Sequence, residues 1–113
     1  MNREEWISVL LALTEELKKI YKDYLKAVVL YGSVAKGTAS EDSDIDIMGI
    51  VDVTQSELRK YEDQLCDIST NFALEYFKVF SIVDVSYQEF EEWKDVSPFY
   101  RNVKNEGITL YAA

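Results

Sequence analysis

The sequence predicts an α/β (α+β) fold in which a mixed β-sheet of about four strands is flanked by helices. Stretches with apolar residues three and four positions apart, which are typical of amphipathic helices, alternate with short apolar runs rich in β-branched residues, which are typical of buried strands. The chain has 113 residues, enough for one hydrophobic core. We therefore expect a single domain over residues 1–113.

The first half of the chain predicts one long helix and two strands. Apolar residues recur at helical spacing from Arg3 to about Tyr24, and Asn2 with Glu5 three positions later is typical of a helix start. Residues 25–31 and 45–51 are short apolar runs that favour strands.

The second half predicts further helices and two more strands. A capping-box pattern at residues 54–57 and a Ser-Pro pair at residues 97–98 mark two helix starts. Apolar periodicity carries the first of these helices to about Asn71. The predicted ranges are 54–71, 87–93 and 97–107 for the helices, and 79–85 and 108–111 for the strands.

Composition excludes several classes of function. With 21 acidic and 12 basic residues the formal charge is −9. The electrostatic field of the protein therefore opposes binding to long nucleic acid and favours a basic protein partner. The absence of histidine excludes His-dependent triads and His-ligated zinc. The single cysteine, Cys66, cannot form an internal disulfide, which agrees with a reducing compartment.

No membrane partner is expected. No stretch approaches the roughly 18 apolar residues that span a bilayer, and the first residues lack the apolar centre of a signal peptide. The sequence therefore favours a cytoplasmic location.

Two aspartates on the second predicted strand are candidate metal ligands. Asp44 and Asp46 are two residues apart, so on a strand they leave the same face with Cα atoms about 6.6 Å apart. Carboxylates this close repel each other, and a divalent cation would turn the repulsion into attraction. Oxygen ligation favours magnesium, manganese or calcium.

A Gly-Ser pair at the end of the first predicted strand is a candidate phosphate site. Gly32 lets the backbone approach a phosphate without a Cβ, and Ser33 adds a hydroxyl donor. Lys36 could neutralise phosphate charge, and Gly37 could allow a second close approach. Together with the aspartates, these residues predict binding of a nucleoside triphosphate through magnesium.

The spacing of these residues resembles a family signature. Gly32-Ser33, ten further residues and then Asp44-Ile45-Asp46 resemble the GS-x10-DxD motif of the polymerase-β-like nucleotidyltransferases, in particular the minimal nucleotidyltransferases. The sequences around the motif also resemble family members, namely LYGSVAKG and SDIDIMGIV. A weaker resemblance extends to SPFYRNVKNEGITLY, so the resemblance covers most of the chain. Relatives often have arginine where this chain has Val34 or Lys36.

The resemblance implies a nucleotidyltransferase domain that transfers a nucleoside monophosphate, AMP from ATP, to a hydroxyl with Mg²⁺ as cofactor. Asp44 and Asp46 would hold the metal, while Ser33 and Gly32 would seat the phosphates. The family usually adds a third carboxylate from a later strand, and Asp84 is the candidate for this catalytic and metal-binding role. An Asp84 that faces solvent on an outer sheet face is the alternative.

The resemblance also implies a partner. Small family members often act as the antitoxin of a pair, modifying tyrosine on a HEPN-type helical protein encoded nearby. Two alternatives remain open at this point. The chain could neutralise a partner by binding alone, or it could be a small-molecule nucleotidyltransferase completed by another domain or by a homodimer.

Overall fold

The computed structural model describes all of residues 1–113, which form nine helices and strands joined by short connections. Two 3₁₀ turns, Lys22–Tyr24 and Glu57–Tyr61, complete the regular structure. The elements in chain order are α1 (Arg3–Tyr21), β1 (Leu25–Tyr31), α2 (Gly32–Lys36), β2 (Ile45–Val51), α3 (Glu62–Tyr76), β3 (Phe80–Ser86), α4 (Tyr87–Trp93), α5 (Pro98–Glu106) and β4 (Ile108–Ala112).

The four strands form one mixed sheet in the order β3-β2-β1-β4. β1 runs antiparallel to both β2 and β4, whereas β2 and β3 are parallel. The antiparallel pair brings the end of β1 beside the start of β2, with Tyr31 opposite Asp46. The predicted fold class is confirmed, and the Gly-Ser turn and the two aspartates lie at the same end of the sheet.

Each face of the sheet is covered by helices. On the first face, α1 and α3 pack on the larger apolar cluster, which includes Leu13 and Ile47. On the second face, α4 and α5 pack on a smaller cluster that includes Met48 and Val103. Because successive strand residues point to opposite faces, Ile45 and Ile47 are buried on the first face and direct Asp46 to the second.

The first helix is shorter than its sequence pattern predicts. α1 begins as expected, because Asn2 and Glu5 form the reciprocal capping box. It ends at Tyr21, since Lys22 has a φ of 54° that breaks the helical path. Tyr24, which the pattern placed on the apolar face, is 55% exposed.

The helix predicted at 54–71 is displaced toward the C-terminus. Thr54 accepts a hydrogen bond from the Glu57 amide as a cap should, but the residues that follow form a 3₁₀ turn. α3 itself runs from residue 62 to Tyr76, five residues beyond the predicted end at Asn71. The extension has a physical reason, since Phe72 and Tyr76 both pack against the first-face cluster.

No helix of the chain is both long enough and apolar enough to cross a bilayer.

Candidate active site

Gly32 brings the two parts of the predicted site together. Its φ of 76° lies in the region that glycine adopts without strain. A Cβ at this position would overlap the carboxylate of Asp46. The turn after β1 and the acid on β2 are therefore in contact, and only a residue without a side chain permits that contact.

The two aspartates lie close enough to interact. Burial raises the pKa of Asp46 above its ordinary value, and the Asp44 carboxylate raises it further. Neither carboxylate forms an ion pair with any lysine or arginine of the chain. This part of the molecule concentrates negative charge that the protein leaves uncompensated.

Ser33 lies in the first turn of α2, where backbone N–H groups have no acceptor within the helix. The helix is short and ends at Gly37, whose φ is 78°. Two side chains from elsewhere hold this segment: Arg3 Nη2 donates to the Ala35 carbonyl, and Lys78 Nζ donates to the Glu41 carbonyl. The path from the Gly-Ser turn to Asp44 is thus held at two points, Ala35 and Glu41.

Lys36 has a partner within the chain. Its Nζ lies 3.0 Å from a carboxylate oxygen of Glu106, at the end of α5, and both side chains are about half exposed. A contact between Lys36 and a phosphate would therefore compete with a surface ion pair, which contributes little to stability. Val34 is buried, and its apolar side chain offers no donor to a phosphate.

The structure does not bring Asp84 to the other two aspartates. Asp84 is opposite Gly49 in the parallel ladder, whereas Asp46 is opposite Ser81. Ser81 and Asp84 are three positions apart on β3, an odd number, so Asp84 and Asp46 leave opposite faces of the sheet. On the first face, Tyr21 donates a hydrogen bond from its hydroxyl to Asp84 Oδ2 at 2.7 Å.

The third carboxylate expected from Asp84 therefore has no support in the sheet geometry. Asp84 is half-buried on the first face, where it accepts the hydrogen bond from Tyr21, and burial raises its pKa. Directly across from Asp46 the chain has the neutral Ser81. No group of three or more acidic or thiol side chains converges on a single point.

An aromatic wall beside Asp46 was not identified from the sequence. Tyr31 is opposite Asp46, and burial followed by the Asp46 charge raises the pKa of its hydroxyl. Phe99 of α5 packs edge-on against Tyr31 with ring centroids 5.6 Å apart. Strand alternation at Tyr31 was the available signal, since it places this ring on the same face as Asp46.

The residues present fit a hydrated magnesium ion with a phosphate ligand. Two carboxylates with no cation partner supply hard oxygen donors, and the cradle at Gly32 would be filled by any Cβ. Magnesium commonly binds one or two carboxylates together with substrate phosphates and water. The arrangement can therefore hold a metal-bound polyphosphate, with Asp44 and Asp46 on the metal and the Gly32-Ser33 turn beside the phosphates.

A protein-family model described as polymerase beta nucleotidyltransferase matches residues 15–113. The chain belongs to the polymerase-β-like nucleotidyltransferase family. This nucleotidyltransferase is 34% identical over 111 residues to a relative from Methanocaldococcus jannaschii that is provisionally named a protein adenylyltransferase, with 98% of this chain and 100% of the relative covered. A second relative from the same organism, with the same provisional name, is 29% identical over 72 residues, which are 64% of this chain and 71% of the relative.

Solved structures share the fold of this nucleotidyltransferase. A toxin–antitoxin structure with AMP-PNP superposes with a TM-score of 0.59 and 20% identity over 91% of this chain and 73% of that one. A mutant of the toxin–antitoxin MntA–HpeT superposes with a TM-score of 0.57 and 18% identity over 100% of this chain and 75% of that one. The resemblance to polymerase-β-like nucleotidyltransferases that the sequence motif indicated is confirmed by the family model and by the relative that is 34% identical.

Proposed function

We propose that this nucleotidyltransferase transfers AMP from ATP to a tyrosine hydroxyl of a partner protein, a HEPN-type helical toxin, and so acts as the antitoxin of the pair. The observation that carries the proposal is the contact between Gly32 and the Asp46 carboxylate. This contact joins the Gly-Ser turn and the pair of aspartates into a single site. The name of the relative that covers the whole chain supports a protein acceptor, and the toxin–antitoxin neighbours support the role.

The reaction forms a bond between the acceptor oxygen and the α-phosphorus of ATP. It breaks the bond between that phosphorus and the oxygen of the leaving pyrophosphate, and the acceptor proton passes to solvent. Bound magnesium would supply charge neutralisation for the phosphates and the leaving group. Asp44 and Asp46 would hold the metal, and the Gly32-Ser33 turn would orient the β- and γ-phosphates.

Transfer of labelled AMP to the protein encoded by the neighbouring gene tests the proposal. With Mg²⁺ and labelled ATP, the wild-type chain should label that protein, and Asp44→Asn with Asp46→Asn should abolish the label. Mass spectrometry should place the added AMP on tyrosine. An unlabelled partner, in the presence of a wild-type chain that binds Mg²⁺ and ATP, would refute transfer to protein.

A second mode of neutralisation has a specific observation in its favour. No third carboxylate faces Asp44 and Asp46, so catalysis by this site could be slow and contact with the toxin could matter more. The double variant distinguishes the two modes. If Asp44→Asn with Asp46→Asn still neutralises the toxin in cells, contact is sufficient, whereas loss of neutralisation together with loss of label shows that modification is required.

A further inference from the structure

A groove beside the edge of the sheet opens on the candidate active site. It has a volume of about 450 Å³, lies between α3 and the outer edge of β3, and includes Asp44 among its lining residues. β3 is the edge strand on this side of the sheet. The amide of Ile45, next to Asp44, donates to the Val79 carbonyl at 2.9 Å, so the start of β3 lies against the acid pair.

The outer edge of β3 has backbone groups free for pairing. Since the Val79 carbonyl points to β2, Ser81, Val83 and Val85 also direct their backbone groups to β2, and the residues between them point outward. At the two ends these outward groups are used: Ser69 donates to the Phe80 carbonyl, and Gln55 accepts from the Ser86 amide.

The middle of that edge is open. Ile82 directs its amide and carbonyl outward, no side chain bonds them, and its side chain lines the groove. An unpaired edge of this kind is a template on which an extended chain can add a strand.

The charge of the groove selects its occupant. Its lining residues include the carboxylates of Asp44 and Glu62 and no lysine or arginine. Outside this lining, α3 also carries Asp63, Asp67 and Glu75 and no basic residue, and none of these acids forms an ion pair. Such a surface attracts a basic segment. It repels a second copy of this chain, whose net charge is −9.

We propose that this groove, the β3 groove, receives an extended segment of the protein acceptor rich in lysine or arginine, which adds to the sheet beside Ile82 and leads the acceptor hydroxyl to Asp44. The inference rests on the proposed function, because it assumes a protein acceptor. Ile82 is three residues from Val79, which lies against the acid pair. A segment paired beside Ile82 can therefore extend to Asp44, since three residues of extended chain span about 10 Å.

Cys66 provides a reporter for the test, because it is the only cysteine of the chain, is exposed and lines the groove. The probes are a 12-residue peptide of alternating lysine and threonine with one tyrosine, and the same peptide with glutamate in place of lysine. The readout is the rate at which N-ethylmaleimide alkylates the thiol. A Cys66→Ser variant that also carries Ser8→Cys, on an exposed position of α1, is the matched control.

The lysine peptide should slow alkylation of Cys66 about fivefold at roughly four times its Kd. It should leave the control thiol unaffected, and the glutamate peptide should protect neither. Unprotected Cys66 at peptide concentrations up to about 1 mM, or equal protection of the control thiol, would overturn the proposal.

Charge reversal gives an independent measurement. Glu62→Lys with Asp63→Lys, both exposed at the start of α3 and the first in the groove lining, should abolish protection, while Glu15→Lys with Glu16→Lys on α1 changes the net charge equally and should preserve it. Equal loss of protection in both double variants would refute a localised groove.

Failure of the groove and failure of the proposed function give different results. Asp46 is not among the lining residues of the groove, so Asp46→Asn should stop transfer and keep peptide protection. If the lysine peptide protects Cys66 of the wild-type chain but that chain labels no partner, the proposed function alone is refuted. If the wild-type chain labels the partner but the lysine peptide does not protect Cys66, the β3 groove alone is refuted.

Discussion

Gly32 and Gly37 share a backbone conformation but differ in what surrounds them. Their φ angles are 76° and 78°. A Cβ on Gly32 would collide with the Asp46 carboxylate, whereas a Cβ on Gly37 would meet nothing within 4 Å. The pair therefore separates the backbone requirement of a positive φ from the steric requirement of the site.

Gly32→Ala should lower nucleotidyl transfer by about 100-fold or more, because displacement of a metal ligand by about 1 Å has effects of this size. Gly37→Ala is the control and should cost only the left-handed strain, about 1–2 kcal/mol of unfolding free energy, with activity retained. The measurements are initial rates of transfer and urea unfolding. Equal activity in the two variants would contradict a special role for Gly32.

Asp84 belongs to the packing of the first face. Burial raises its pKa above the ordinary value of 3.8, and the hydrogen bond from Tyr21 lowers the pKa without cancelling that effect. The folded chain therefore binds this proton more tightly than the unfolded chain. Stability from this group is present at low pH and falls as pH rises from the unfolded pKa through the raised folded pKa.

Asp84→Asn should raise the unfolding free energy at neutral pH and flatten its pH dependence above about pH 4. The amide oxygen can still accept the hydrogen bond from Tyr21. Transfer activity should be unchanged, because Asp84 lies on the opposite face of the sheet from Asp46. Tyr21→Phe removes the donor and should cost about 1.5–3 kcal/mol. Chemical denaturation across pH, with transfer assays, provides the test, and loss of activity in Asp84→Asn would restore Asp84 to the catalytic site.

At the scale of elements, an ion pair joins α2 to α5 and involves the lysine that could neutralise phosphate charge. Lys36 of α2 pairs with Glu106 of α5 at 3.0 Å. Packing of α5 against β1, with Val103 buried, sets where that carboxylate lies. The ion pair holds the lysine near the turn but also offers it a competing anion.

Glu106→Gln should release Lys36 toward the nucleotide and lower the KM for ATP by up to about fivefold, since a surface ion pair is worth about 0–1 kcal/mol. Asp95→Asn removes the acid of another ion pair, with Lys104, and is the control, expected to leave the KM unchanged. Steady-state kinetics at varied ATP concentration measures both. A KM that is unchanged in Glu106→Gln would argue against a phosphate contact by Lys36.

At the scale of the whole molecule, one sheet connects two apolar clusters. Leu13 is buried in the cluster on the first face and Val103 in the cluster on the second. β1 and β2 contribute side chains to both. Because the strands are shared, the two halves of the core should unfold together.

Leu13→Ala should lower the unfolding free energy by about 2–5 kcal/mol, and Val103→Ala should lower it by about 1–3 kcal/mol. In each variant, tryptophan fluorescence and far-ultraviolet circular dichroism should report one coincident transition in urea. Leu11→Ala, on the same helix as Leu13 but 47% exposed, should change stability by less than about 0.5 kcal/mol. Two separate transitions would show that the faces are independent.

The sequence determined the parts of this protein that depend on local pattern. Alternation of buried Ile45 and Ile47 with aspartates placed β2 and its polar face, and the spacing from Gly32-Ser33 to Asp44 identified the family. These features are readable because a strand has a period of two and a turn needs particular residues.

Tertiary structure alone decided where separate segments meet. The register between β2 and β3 put Asp84 on the opposite face from Asp46, a difference of one residue that the apolar run SIVDVS does not encode. The packing of α5 likewise set Glu106 against Lys36 and Phe99 against Tyr31. Strand register and helix docking are determined by the sum of many contacts across the core. A single stretch of sequence therefore shows that an acid is present but not which face of the sheet its side chain lies on.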